Sequence, residues 1–119
     1  MGTTSVRANK VSAAREFTGL WTGTTTAEID VIGHCPVGVG VPAAFAGSSL
    51  TFQVEIGGSY VVLIDPSTGN AYTVAAAASK YVPINLSYFA GIDKLKVVSD
   101  ASETGRSAIV RCRPLGKEG

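Results

Sequence analysis

Residues 50–56 constrain this chain most. Leu50, Phe52, Val54 and Ile56 alternate with Thr51, Gln53 and Glu55, the pattern of a strand with one apolar face. Gly57-Gly58 follows at once and an apolar run resumes from Tyr60 to Ile64, which reads as a hairpin whose turn needs positive φ. The stretch Asp65-Pro66-Ser67-Thr68-Gly69-Asn70 is a second turn, with Pro fixing φ early and Gly and Asn tolerating left-handed backbone. A short strand over 71–74 is expected next, then a connection over 75–79, since five residues cannot hold a helix alone. Residues 80–86 read as a strand carrying Pro83, which belongs at a sheet edge or a bulge. Residues 86–92 read as a one-turn helix or tight loop that places Phe89 and Ile92 in the core. Strands are expected at 94–98 and 107–113, the latter stopped by Pro114, with a polar hairpin loop over 100–105 between them.

Upstream the text is less regular. Residues 17–21 begin the ordered domain, and residues 24–32 alternate as a strand with Ala27, Ile29 and Val31 on one face. Residues 33–47 carry four glycines and two prolines among small apolar residues, which reads as an irregular loop whose backbone lies close to another surface. Residues 1–16 are polar and weakly patterned: either a disordered tail or an ordered arm that docks on a neighbouring subunit. The organisation expected is an N-terminal arm (1–16), a β domain (17–114) and a C-terminal tail (115–119). Turn signals at this spacing imply about seven or eight short strands. The fold class is therefore all-β: an antiparallel β-sandwich, with the jelly roll as the form to expect.

Composition narrows function. A chain of 119 residues makes one domain. Its 10 basic and 9 acidic residues give a net charge of +1, so no broad field draws it to nucleic acid or to an anionic membrane. No run of apolar residues is long enough for a membrane span, and the first residues lack the apolar centre of a secretion signal, with Val6 where a myristoylation signal wants Ser or Thr. Synthesis in the cytoplasm is the expectation, and with it free thiols at Cys35 and Cys112, although a bridge between them stays open. Only 16% of residues are charged against 45% hydrophobic, which implies surface buried by other subunits.

Chemistry-bearing groups are sparse. His34 is the sole histidine, and a soft-metal site from His34, Cys35, Cys112 and Asp30 meets the objection that adjacent strand residues point to opposite faces. A Cys35 or Ser nucleophile would have only His34 as its base. Glu28, Asp30 and Glu55 could supply paired carboxylates, but alternating charges on a strand are normally its solvated side. The glycines of residues 33–40 lack the Lys-Ser/Thr and the following helix of a phosphate loop. No catalytic residue, metal or cofactor is assigned. Trp21, Tyr60, Tyr72, Tyr81 and Tyr88 could form a sugar-stacking platform or pack with their polar tips at the rim, and packing is the preferred reading. Lys94, Lys96, Arg106, Arg111 and Arg113 fit scattered pairs with a partner protein better than a nucleic-acid track.

The order LTFQVEIGGSYVVLID, PSTGNAYTV, KYVPINLSYFAGIDKLKVVS and SAIVRCRP resembles small tailed-phage virion proteins of the structural or head-decoration (cement) kind. The likeness rests on the strand beginning LTFQ, the hairpin after it, then Tyr81, Pro83, Phe89, Ala90 and Gly91, and the lysine-bearing strand at 94–98. It spans residues 48–114, and its phrases are structural, not catalytic. The first 47 residues carry no matching motif.

The resemblance implies a protein that works by contact area. Cement proteins straddle subunits of the major capsid protein at local symmetry axes and resist the pressure of packaged DNA. The implied partners are the major capsid protein and further copies of the chain, a homotrimer first and a dimer second, on the outer surface of the virion head. Contact would come from the arm at Val6, Arg7, Lys10 and Val11 and from the glycine-proline loop at Val37, Val39, Val41 and Phe45. A carbohydrate-binding module and a tail or baseplate component of a phage particle are the rival readings.

Overall fold

The computed structural model describes residues 14–115, so Val6, Arg7, Lys10 and Val11 lie outside the described residues. The alternating segment forms β5 (Ser49–Ile56), with Leu50, Phe52 and Val54 buried as expected and Ile56 60% exposed where the strand outruns the core. Gly57 and Gly58 sit at φ 61° and 89°, the double left-handed turn that closes a tight hairpin onto β6 (Ser59–Val62). On the other side of β5 lies β9 (Lys94–Ser99), pairing Phe52 with Val97 and Val54 with Leu95. The turn over 65–70 forms as read, closed by Asp65 N–H donating to the Asn70 carbonyl, and β7 (Val74–Ala75) returns to the start of β5.

The second half of the sheet is built around β10 (Ser107–Pro114). It pairs antiparallel with β1 (Arg15–Thr22) on one side and β4 (His34–Gly40) on the other, and β8 (Tyr81–Pro83) closes that end against β4. The halves are continuous. The last residues of β1 turn to pair with β2 (Thr25–Thr26), which pairs with β9, and β3 (Ile29–Asp30) adds to β9 as well. The hydrogen-bonded path runs β6-β5-β9-β2-β1-β10-β4-β8 in one antiparallel sheet of ten strands, curled like a half-barrel around its core. Gly19 stands just before β1 passes from β10 to β2, and a Cβ there would run into the buried Ile29 side chain, so Gly lets β3 close against β1. Phe52, Phe89, Trp21, Leu50, Leu95, Val97 and Val110 are fully buried inside the curl, with Phe52 meeting Phe89 edge to face at 5.1 Å.

The all-β antiparallel expectation holds, and several local readings change. Residues 34–40 are not loop but the interior strand β4: Pro36 faces Cys112, Gly38 faces Arg111, and Val37 is the extra residue of a β-bulge between them. Proline survives there because the bulge relieves it of a ladder hydrogen bond, and the irregular stretch shrinks to 41–48. Residues 24–32 split into β2 and β3, and Ala27 is exposed while Ile29 and Val31 are buried. β1 begins at Arg15, inside the segment read as an arm, because Arg15 pairs with Cys112. Pro83 lies in the edge strand β8, as its missing N–H requires, and the expected one-turn helix is a 3-10 turn, Leu86–Tyr88, capped by the Asn85 side chain.

The loop after β9 is not a hairpin, since β9 and β10 belong to different halves of the sheet. It carries Glu103, whose side chain is 0% exposed. Ala46 N–H (3.0 Å), Gly47 N–H (2.9 Å) and the Ser99 hydroxyl (2.9 Å) donate to its carboxylate, and Arg106 Nη1 stands 3.0 Å away. Burial pushes this carboxyl upward, and the donors outweigh it, holding Glu103 below its ordinary value. Beside it Asp100 accepts from Ser48 N–H and hydroxyl (2.8 and 2.7 Å) and from Ser49 N–H, which lowers it to about 2.

Glu103→Ala leaves these donors and Arg106 unpaired, and we expect it to cost about 3 kcal/mol in urea unfolding. Both carboxyls titrate lower folded than unfolded, so their stabilisation is complete above the unfolded values of 3.8 and 4.5 and is lost as pH falls toward about 2. Urea midpoints measured down that range should fall, and Asp100→Asn with Glu103→Gln should flatten the fall.

Candidate contact surface

On the outer side of the β1-β10-β4-β8 half, cross-strand rows read Thr18, Ile109, Gly40, Tyr81 and Glu16, Arg111, Gly38, Pro83. The two glycines put a gap in the middle of each row. Into it lies the Tyr81 ring: a Cβ on Gly38 would collide with the Tyr81 ring and hydroxyl. The result is a shallow hollow floored by Gly40 and walled by Tyr81, Ile109, Glu16 and Arg111, about 300 Å³. It continues toward Val41, Pro42, Ser79 and Ser107 as a second space of about 320 Å³ that shares Gly40, Tyr81 and Ile109. Ser79 holds φ 63° there and donates its N–H to the Pro42 carbonyl, which fixes the turn leading into Tyr81. Tyr81 (51%), Ile109 (41%) and Leu20 (51%) are exposed apolar residues on this side, and β1 starts at its border.

The expected loop contacts lie elsewhere. Val39, Val41 and Phe45 are core residues at 0, 7 and 7% exposure, with Phe45 against Trp21 at 5.8 Å, and Val37 is half-buried in the bulge. In this chain they hold the sheet instead of offering surface. Sequence reading missed the Gly38–Gly40 hollow, although the alternation Val37-Gly38-Val39-Gly40-Val41 carried it: a strand whose outward residues are glycines.

The reactive groups weighed in the sequence are engaged in structural contacts. His34 packs edge-on against Phe17 at 5.1 Å, with Nδ1 3.1 Å from the Ile32 carbonyl. Glu28 pairs with Lys94 at 3.4 Å, Asp30 accepts from Ile32 N–H, and Glu55 accepts from Gly58 N–H in the hairpin turn. Arg111 pairs with Glu16 and Arg106 with Glu103, so three of the basic side chains read as partner contacts close pairs within the chain. Among the described residues no group of three or more His, Cys, Asp or Glu is placed to hold a metal ion. Cys35 and Cys112 are buried and free; burial raises both thiols, Cys112 to about 12 with Cys35 adding to the rise.

The aromatic residues do not share a plane. Trp21 is buried, Tyr72 and Tyr88 meet at 85° with the Tyr72 hydroxyl accepting from Asn85 N–H, and Tyr60 lies beneath Lys96 Nζ at 4.3 Å. Tyr81 is the one exposed ring of the five.

No protein-family model matches the chain, and no curated protein matches it. Among solved structures it is similar to the crystal structure of the SPBc2 prophage-derived protein YomS, with a TM-score of 0.52 and 13% identity over 85% of this chain and 92% of that one. That likeness is one of fold.

Thiols that stay protonated above neutral pH and are buried should not react with a disulfide reagent in the native protein. We expect both to react once the chain is unfolded in guanidinium, and fast labelling of the native protein would show the core around β4 and β10 to be open.

Proposed function

We propose that this chain is a structural protein of a phage particle, a decoration protein that binds across subunits of the major capsid protein and stabilises the head. The reading rests on one observation above others: the candidate carboxylates, the histidine and the thiols are held in structural contacts, while a shallow hollow walled by Tyr81, Ile109 and the Glu16–Arg111 pair lies open beside the start of β1. Such a surface gains free energy by being covered, with no bond made or broken. The resemblance of residues 48–114 to cement proteins and the fold likeness to a prophage-derived protein support the same reading. Trp21 is buried, Tyr72 and Tyr88 stand at 85° to each other and Tyr81 alone of the five rings is exposed, which argues against a sugar-stacking platform.

Electron microscopy of particles carrying the chain tests this directly. Density on the head lattice at subunit junctions is expected, and density confined to a tail or baseplate would overturn the assignment. Tyr81→Ala removes an exposed ring, and Gly38→Ala displaces it; each should keep the folded circular dichroism spectrum and weaken attachment to heads by about tenfold. A truncation that tests the arm must stop at residue 13, because Arg15 already belongs to the sheet. Normal attachment by that truncated chain would remove the arm from the contact.

A further inference from the structure

Among the described residues the hydrogen-bonded path ends in two edge strands, and they are built differently. β8 is three residues long, follows Lys80 and contains Pro83, the features that keep an edge from recruiting another strand. β6 at the other end is four residues long and has neither the lysine nor the proline. From Ser59 to Ile64 the chain reads Ser-Tyr-Val-Val-Leu-Ile, with no charge and no proline.

Hydrogen-bond phase shows what this edge presents. Leu63 N–H donates to the Phe52 carbonyl at 2.9 Å, so alternation assigns Val61 to Val54 and Ser59 to Ile56 as the bonded pairs. Tyr60 and Val62 therefore turn their N–H and C=O groups away from β5, and no strand of the path lies beyond them. The Tyr60 side chain leans back over the sheet: Lys96, two strands away, covers its ring, and its buried hydroxyl faces Glu28 outside well-formed hydrogen-bonding geometry. Apolar side chains surround the exposed backbone, with Val61 47%, Val62 54%, Ile64 49% and Ile56 60% exposed.

We propose that β6 pairs antiparallel with β6 of a second copy of this chain, joining the two sheets edge to edge across a two-fold axis at Val61. The strand is its own complement. With Val61 opposite Val61 of the other copy, Tyr60 faces Val62 and Val62 faces Tyr60, and each such pair exchanges both main-chain hydrogen bonds. Aromatic against β-branched and valine against valine are favourable cross-strand pairs, and no charged residue faces a like charge along the seam. A partner strand of other sequence would satisfy the same backbone groups, but this register needs nothing outside the chain. The pairing stands apart from attachment to a particle and specifies the dimer, second to a trimer in the sequence reading.

Sedimentation and amide exchange of the purified protein test it. We expect a monomer–dimer equilibrium in which the Tyr60 and Val62 amides exchange slowly at high protein concentration and lose protection on dilution. Val61→Lys sets two ammonium groups opposite each other on the axis and should weaken association by about tenfold or more. Val62→Pro removes an outward N–H and should do the same, with thermal unfolding of both variants checking that the monomer stays folded. A protein that sediments as a monomer at high concentration overturns the proposal, and so does a dimer whose Tyr60 and Val62 amides stay unprotected.

Discussion

One buried carboxylate ties the two halves of this curled sheet to each other. Two of the connections that cross between its halves meet at this carboxylate: residues 41–48 carry the chain from β4 to β5, and residues 100–106 carry it from β9 to β10. Glu103 ties the second to the first through Ala46 and Gly47, and Asp100 adds Ser48 and Ser49. The same loop also holds the end of β1, since Glu103 N–H donates to the Gly23 carbonyl, Gly105 N–H to the Trp21 carbonyl, and Trp21 N–H to the Arg106 carbonyl. Gly47 permits this closeness, because a Cβ there would occupy the space of the Asp100 and Ser99 side-chain oxygens. Removing a partner from such a site leaves donors without acceptors in a region closed to water, so its loss is larger than that of any exposed ion pair in the chain.

Local pattern carried the fold as far as pattern is local. The β5-β6 hairpin, the turn at 65–70, the edge position of Pro83 and the buried Phe89 were all legible, because period-two alternation and left-handed glycines act within a few residues. β4 was hidden by its own composition. Pro36 and the glycines lower strand propensity, and the strand exists because β10 and β8 flank it and a bulge absorbs the proline. Glu103 was illegible for a different reason: its main-chain donors, Ala46 and Gly47, lie 57 and 56 residues away in sequence, on a loop that has no pattern of its own. The contact residues followed the same logic. Val39 looked available while β4 was read as loop and is core in the strand, and Val41 and Phe45 stay in irregular chain but turn inward, Phe45 against Trp21.

Among the described residues many polar groups are employed in holding turns. Asp65, Asp100, Glu55 and Asn85 each accept main-chain N–H groups in turns or at the start of the 3-10 turn, which is what stabilises a chain so rich in connections. Carboxylates engaged in this way are stabilised as anions, and the pKa of Asp65 and Asp100 is correspondingly lowered. They are poor general acids, and the raised thiols are poor nucleophiles.

What the fold leaves open is therefore backbone and apolar surface, and these occur at separate places on the hydrogen-bonded path. β6 begins the path and β8 ends it, while the hollow lies on the outward side of β1, β10 and β4 next to β8. Pairing through β6 uses groups in the plane of the sheet, whereas the hollow presents side chains perpendicular to it. The two surfaces thus make different demands on sequence: the edge needs uncharged residues with no proline, and the hollow needs glycines under a movable ring. Both sets are present at the positions the topology requires, and neither strand core would need them to fold. A sheet built only for stability would fill the outward positions of β4 with β-branched residues and would guard β6 with a lysine, as the chain already does beside β8.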